Sequence, residues 1–254
     1  MRNYSAFLKK EIMESVRTYK LFIMLIVFLV FGIMSPLTAK ITPDLINILM
    51  PEGMTITLAE PTALDSWTQF FKNISQMGLI VMVIVFSGVL ATEISKGTLI
   101  NMLTKGLSRV AVILSKFTCV VLIWTISLVL ALGVTGGYTV YLFPDGGIHH
   151  LFFSIFCLWL FGVFLLAVLI FSATLVNNNY GCLLITGAAV VACLLANIIP
   201  DAYAYNPVSL ASMNMDLLTN TIEPSSILFA VVIAAASSLV LLVSSVLVFR
   251  KKLL

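Results

Sequence analysis

Charged side chains are scarce in this chain: Asp, Glu, Lys and Arg make up 10% of its 254 residues, against about 25% in an ordinary soluble domain. With 61% of residues hydrophobic, a water-facing surface is excluded for most of its length, and the chain reads as an integral membrane protein. Other absences narrow the chemistry. No G-x-x-x-x-G-K-[ST] loop occurs, so the chain does not hydrolyse ATP itself. The four cysteines, Cys119, Cys157, Cys182 and Cys193, lie within apolar runs with no C-x-x-C spacing, which points to packing over metal or disulfide chemistry. Ionisable residues are missing from the centres of the apolar runs. A proton-coupled transporter or an intramembrane protease would need carboxylates or histidines at that depth. Lys116 lies near one end of its run, where it is expected to snorkel to the inner face. No linker rich in Pro, Gly or Ser interrupts the chain, which reads as a single membrane domain over residues 1–254.

What is present is a series of six apolar runs, Leu21 to Leu37, Met77 to Thr92, Phe117 to Phe143, Leu151 to Val176, Tyr180 to Ile199 and Ile227 to Phe249. Each approaches the roughly 20 residues that a spanning helix needs. The expected fold class is all-α, with six transmembrane helices. Lys and Arg are retained on the cytoplasmic side of membranes, and placing both termini there puts twelve of the fourteen basic residues inside. Lys40 and Lys72 fall outside with eight acids, while Glu11, Glu14 and Glu93 fall inside. This partition explains the basic residues as topology and leaves no case for nucleic acid as a partner.

Ahead of the first span, Tyr4, Leu8, Ile12, Val16 and Tyr19 form one stripe of an amphipathic helix expected to lie on membrane lipid at the inner surface. Residues Lys40 to Gln76 read as a long external loop, and His149 and His150 beside Asp145 as a short solvated one. The segment 200–224 carries Leu210, Met213, Leu217 and Leu218 at helical spacing and is expected to rest on the outer surface. Asn177, Asn178 and Asn179 make a tight internal link. The remaining internal connection is "ATEISKGTLINMLTKGLSRVAVILSK", Ala91 to Lys116. Here Glu93 ends span two, Gly97 and Gly106 bracket a piece in which Leu99, Met102 and Leu103 share a face, and Thr98 is placed to cap its start. Ser108 is placed to cap span three, with Arg109 at headgroup level. The bracketed piece reads as a helix of about two turns. So short a helix is unstable alone in water, and its apolar face needs a surface to dock on.

Glu93, Gly97-Thr98-Leu99, Leu103, Ser108-Arg109 and Ser115-Lys116 together resemble the pattern E-x-x-x-G-T-L-x-x-x-L-x-x-P-x-S-R…K that follows the second span of type 2 permease subunits of ATP-binding-cassette (ABC) transporters. The resemblance extends over the chain through the N-terminal helix, six spans, a long first external stretch and the pair Asn206-Pro207. The family's proline before S-R is Gly106 here.

The resemblance implies an exporter permease that pairs with a second permease chain as a homo- or heterodimer and docks cytoplasmic ABC ATPase subunits. ATP and Mg would be bound by that partner, with no cofactor in this chain. The short helix would be a cytoplasmic coupling helix between spans two and three, with Glu93, Gly97, Thr98, Leu99, Met102, Leu103, Gly106 and Arg109 as the ATPase-coupling residues. A drug, peptide or lipid is the expected cargo. A sodium-efflux permease and a non-transporting scaffold or sensor are the alternatives.

Overall fold

The computed structural model describes residues 2–49, 60–99, 104, 106–144, 148–199 and 202–252. Every regular element among them is helical, and six helices are long and apolar enough to cross a membrane. The chain is a multi-pass membrane protein. We number α1 Arg2–Arg17, α2 Lys20–Leu49, α3 Ala63–Ser95, α4 Arg109–Leu142, α5 Leu151–Leu175, α6 Asn179–Ala196, α7 Ser209–Ser212, α8 Asn214–Leu218 and α9 Leu228–Lys251. Within α3 a π turn occupies Ile74–Gly78 and the helix is interrupted at Ser87.

The spans are not equivalent. In α5, 78% of the most apolar window is buried, against 11% in α6 and 22% in α9. Helix α5 is therefore the axis, packed by α4, α6, α7, α8 and α9, while α2 packs on α3 and α4. The exposed faces of the outer helices carry large apolar residues such as Ile26, Leu184, Val232 and Val240. In water such surface would be a liability; against lipid it costs nothing.

Two of the expected loops are helical. The stretch from Lys40 to Gln76 is not one long loop: α2 continues to Leu49, and α3 begins at Ala63. At its start the carboxylate of Asp65 accepts hydrogen bonds from the Thr62 backbone N–H and hydroxyl, both at 2.8 Å, an N-terminal cap. Helix α2 passes through Pro36 and Pro43. Proline lacks an N–H, so Pro36 leaves the carbonyl four residues earlier, that of Gly32, without its helical donor. The hydroxyl of Thr135 on α4 donates to that carbonyl at 3.1 Å. The helices must lie close for this contact. A Cβ on Gly32 would come within 3.0 Å of the Ala131 carbonyl oxygen. One turn further along α4, Thr139 shares a buried hydrogen bond at 2.6 Å with Ser66 of α3. With 34 residues α4 is about 51 Å long, well beyond the roughly 30 Å hydrocarbon core.

The segment between α6 and α9 also departs from expectation. It is packed into the bundle instead of resting on its surface: Leu210, Leu217 and Leu218 are buried against α5 and α3. Asn206, itself buried, organises it by donating to the carbonyl of Cys193 and to Asn197 Oδ1 while accepting from the Val208 N–H. At the other end of this seam His150 meets Asn220 Oδ1 at 3.1 Å. Asp145, grouped with the histidines in the sequence, lies outside the described residues.

Candidate functional site

The region after the second span is built around charge. Helix α1 turns Phe7, Glu11 and Ser15 toward α4, one helical repeat of four apart, and these three are buried. Tyr4 Oη donates to Thr118 Oγ1 at 2.9 Å, Ser115 Oγ donates to the Tyr4 carbonyl at 3.3 Å, and Ser15 Oγ lies 3.6 Å from Cys119 Sγ. Ile12, Val16 and Tyr19 from the expected stripe point away from the bundle and are exposed.

Lys116 does not snorkel. It is fully buried, and its ammonium lies 2.9 Å from Glu11 Oε2 and 2.7 Å from Glu93 Oε2. The reason is that α1 and the end of α3 bring two carboxylates to it, so the cation has no need of water. Lys10 completes the arrangement, with Glu11 at 3.0 Å, Glu14 at 2.6 Å and Glu93 at 2.5 Å. Both ammonium groups sit over the Phe7 ring, at 5.1 Å for Lys10 and 5.8 Å for Lys116, a further favourable contact for a cation removed from solvent. Glu11, Glu14 and Glu93 converge within 4.8 Å, close enough to hold a metal ion, but the two lysines already supply the positive charge there. The cluster therefore joins three elements distant in sequence: α1, the end of α3 and the start of α4.

Its titration behaviour follows from the contacts. Burial would depress the Lys10 ammonium, but hydrogen bonds to Glu14 and Glu93 and the charges of Glu11 and Glu93 outweigh it and hold the group above the usual lysine value. Burial would raise the Glu14 carboxyl, and the Lys10 hydrogen bond and charge hold it below its ordinary 4.5. Stabilisation from Glu14 is thus present above pH 4.5 and lost as pH falls through its lowered folded value. That from Lys10 is present below 10.5 and lost as pH rises through its raised one. The docking of α1 on α4 is expected to be constant between about pH 5 and 10. A spin-label distance between Lys9→Cys and Leu114→Cys checks this, and lengthening anywhere inside that window contradicts it.

The connecting segment begins shortly after Glu93. Gly97 has φ 66° and Gly106 φ 89°, left-handed values that favour glycine. A proline, fixed near −65°, could not take the place of Gly106 in this turn. The hydroxyl of Thr98 donates back to the Glu93 carbonyl at 3.3 Å, holding it to the end of α3; most of the turn that Thr98 was expected to cap lies outside the described residues. Leu99 is fully buried within the chain itself, so its side chain is not presented to a partner in this conformation. Met102 and Leu103 lie outside the described residues. Ser108 caps α4, its hydroxyl accepting from the Ala111 N–H at 3.2 Å.

Arg109 reaches a different target from the lipid headgroups expected for it. Its Nη1 donates to the carbonyls of Phe249, Arg250 and Lys252 at 2.7, 2.9 and 2.6 Å. These belong to the end of α9, where helix carbonyls lack internal donors and carry partial negative charge. Lys252 in turn donates to the Thr174 carbonyl and to Asn177 Oδ1, and Asn178 caps α6 through the Gly181 N–H. Glu93 and Arg109 thus anchor the two sides of the segment to different helices, and no contact joins them. Sequence spacing singled out Glu93, which enters the ion cluster, and Gly97 and Gly106, which have positive φ. It missed Lys10 and Glu11, for which the signal was an acid at the centre of the Phe7, Glu11, Ser15 repeat.

A comparison with protein-family models and one with curated proteins each gave no match to this chain.

Proposed function

We propose that the chain is the membrane-embedded permease subunit of an ATP-driven ABC exporter, paired with a second permease chain, with energy supplied by a separate cytoplasmic ATPase and an amphiphilic or hydrophobic molecule as cargo. The observation that carries this reading is that the segment 97–106 begins four residues after Glu93, whose carbonyl accepts from the Thr98 hydroxyl and whose carboxylate enters the largely buried cluster with Lys10, Glu11 and Lys116. A connector whose only task was to join two spans would not need an anchor of buried ions, which is costly to desolvate. An anchor that passes displacement from the connector into α1, α3 and α4 at once suits a chain driven from its cytoplasmic side. Of the expected docking residues, Met102 and Leu103 are the ones to test on a partner surface. Leu99 acts within the chain by fastening the segment.

The exposed stripe Ile12, Val16 and Tyr19 supports placing α1 along lipid, with Phe7, Glu11 and Ser15 on the protein side. The scarcity of charge at the centres of the spans, among the described residues, accords with an apolar or amphiphilic cargo.

The test uses the chain purified with the cassette ATPase that accompanies it and reconstituted in vesicles. ATP is expected to drive movement of a hydrophobic fluorescent compound. The Glu93→Ala variant, which cuts one anchor of the segment, is expected to retain ATPase association and lose about tenfold in transport per ATP hydrolysed. A chain that associates with no such ATPase, or vesicles that move sodium ions and no hydrophobic compound, would sink the respective part of the proposal.

A further inference from the structure

At the end of the bundle remote from α1, a half-open cavity of about 510 Å³ lies among α3, α5, α6 and the α7–α8 segment. Its volume is within the usual range for small-molecule sites, about 300 to 1,000 Å³. The wall divides into two parts. Phe71, Phe161, Val190 and Leu194 supply the apolar side, with Val190 and Leu194 one helical repeat apart on α6. Lys72 brings the only charge among the described lining residues, and no carboxylate lines the cavity to neutralise it. Lys72 is exposed and has no ion pair among the described residues.

Two further observations mark the site as more than a packing gap. The π turn Ile74–Gly78 puts Ser75 and Gln76 in the wall, and π turns inside α-helices recur at functional positions. Asn214, 1% exposed, also lines the cavity; its Nδ2 donates to the Ala211 carbonyl at 3.0 Å, while its Oδ1 has no partner among the described residues.

We propose that this cavity binds one phospholipid with an anionic head, the phosphate at Lys72 and an acyl chain along Phe71, Phe161, Val190 and Leu194. The charge calls for an anion, and the apolar wall calls for a chain attached to it. Helix α6, which forms one side, has little of its surface covered by protein, so the cavity is reached from the lipid phase. A bound lipid there would fill the gap between α3 and α6 and seat the α7–α8 segment. This inference needs the chain to be embedded in a bilayer and is independent of ATP-driven export.

The test is native mass spectrometry of the detergent-purified chain titrated with phosphatidylglycerol or phosphatidylcholine, with thermal melting of each variant as a check on folding. The wild-type chain is expected to retain one phosphatidylglycerol about five- to tenfold more tightly than phosphatidylcholine. Lys72→Gln should abolish that preference, and Lys72→Arg should keep it. Ser212→Trp, a wedge placed at an exposed lining position, should reduce retention of both lipids. Preference that survives Lys72→Gln, or retention unchanged by the wedge, overturns the proposal. So does equal retention of the two lipids by the wild-type chain.

Discussion

Replacing Lys116 with methionine is expected to be among the most damaging single changes in the chain, costing about 3 to 5 kcal/mol. The methionine fills much of the same volume, so the loss is electrostatic. Glu11 and Glu93, with side chains 5% and 11% exposed, would face one another with only Lys10 between them. Removing one member of a buried ion cluster leaves the others desolvated without compensation, which costs far more than the cluster contributes when whole. A specific reporter is already present. Cys119 is 2% exposed and lies beneath Ser15 of α1, so release of α1 should open its thiol to maleimide. Lys116→Met is expected to raise labelling of the Cys119 peptide at least tenfold, and adding Glu11→Gln should recover part of the loss. Unchanged labelling and unchanged melting would contradict the role assigned to the cluster.

Gly162→Val is expected to be comparably severe for a steric reason. A Cβ built on Gly162 would come within 2.6 Å of Trp124 Cζ2 and Nε1, and real atoms do not approach so closely. Trp124 has no room to retreat: it is fully buried, stands edge-on to Phe28 with centroids 5.5 Å apart, and donates through Nε1 to the Trp159 carbonyl at 3.1 Å. Because α5 is the axis of the bundle, separation of α4 from α5 disturbs every span that packs on them. Overpacking of a filled core costs about 1 to 3 kcal/mol in ordinary cases, and the upper end is expected here. Thermal melting and detergent-extractable yield should both fall, Gly162→Ala less than Gly162→Val, with recovery when Trp124→Leu is added. If Gly162→Val melts as the unsubstituted chain does, the close approach of α4 and α5 is wrong.

The spans were legible because their signal is additive: some twenty apolar residues in succession leave few other interpretations. The helical continuation of α2 was not, because Lys40 and Pro43, following the apolar run, read locally as the start of a loop. The packed segment around Asn206 and Leu217 was half legible. Its helical spacing is written in the sequence, but whether an apolar face meets lipid or protein depends on what the fold places opposite it. The candidate site divides in the same way. Gly97 and Gly106 were readable because a turn with positive φ has few alternatives. Lys116 was misread because a lysine near a span end looks identical whether it reaches for water or is met by two carboxylates. Arg109 was misread similarly, since nothing near it in sequence indicates that its partners are the carbonyls that end α9.

The separation between Glu11 and Lys116 also fixes an order of events during synthesis. The two are 105 residues apart, and chains emerge N-terminus first. When α1 leaves the ribosome, neither Glu93 nor Lys116 exists, and its buried face has nothing to bury against. Lys10 can meet Glu93 once the second span is made, but the cluster closes only when the third span brings Lys116. Lys116 is made after both of its counter-ions, which come from outside its own helix, and its pairing with Glu11 marks the point at which α1 and the first three spans have been assembled in the right order.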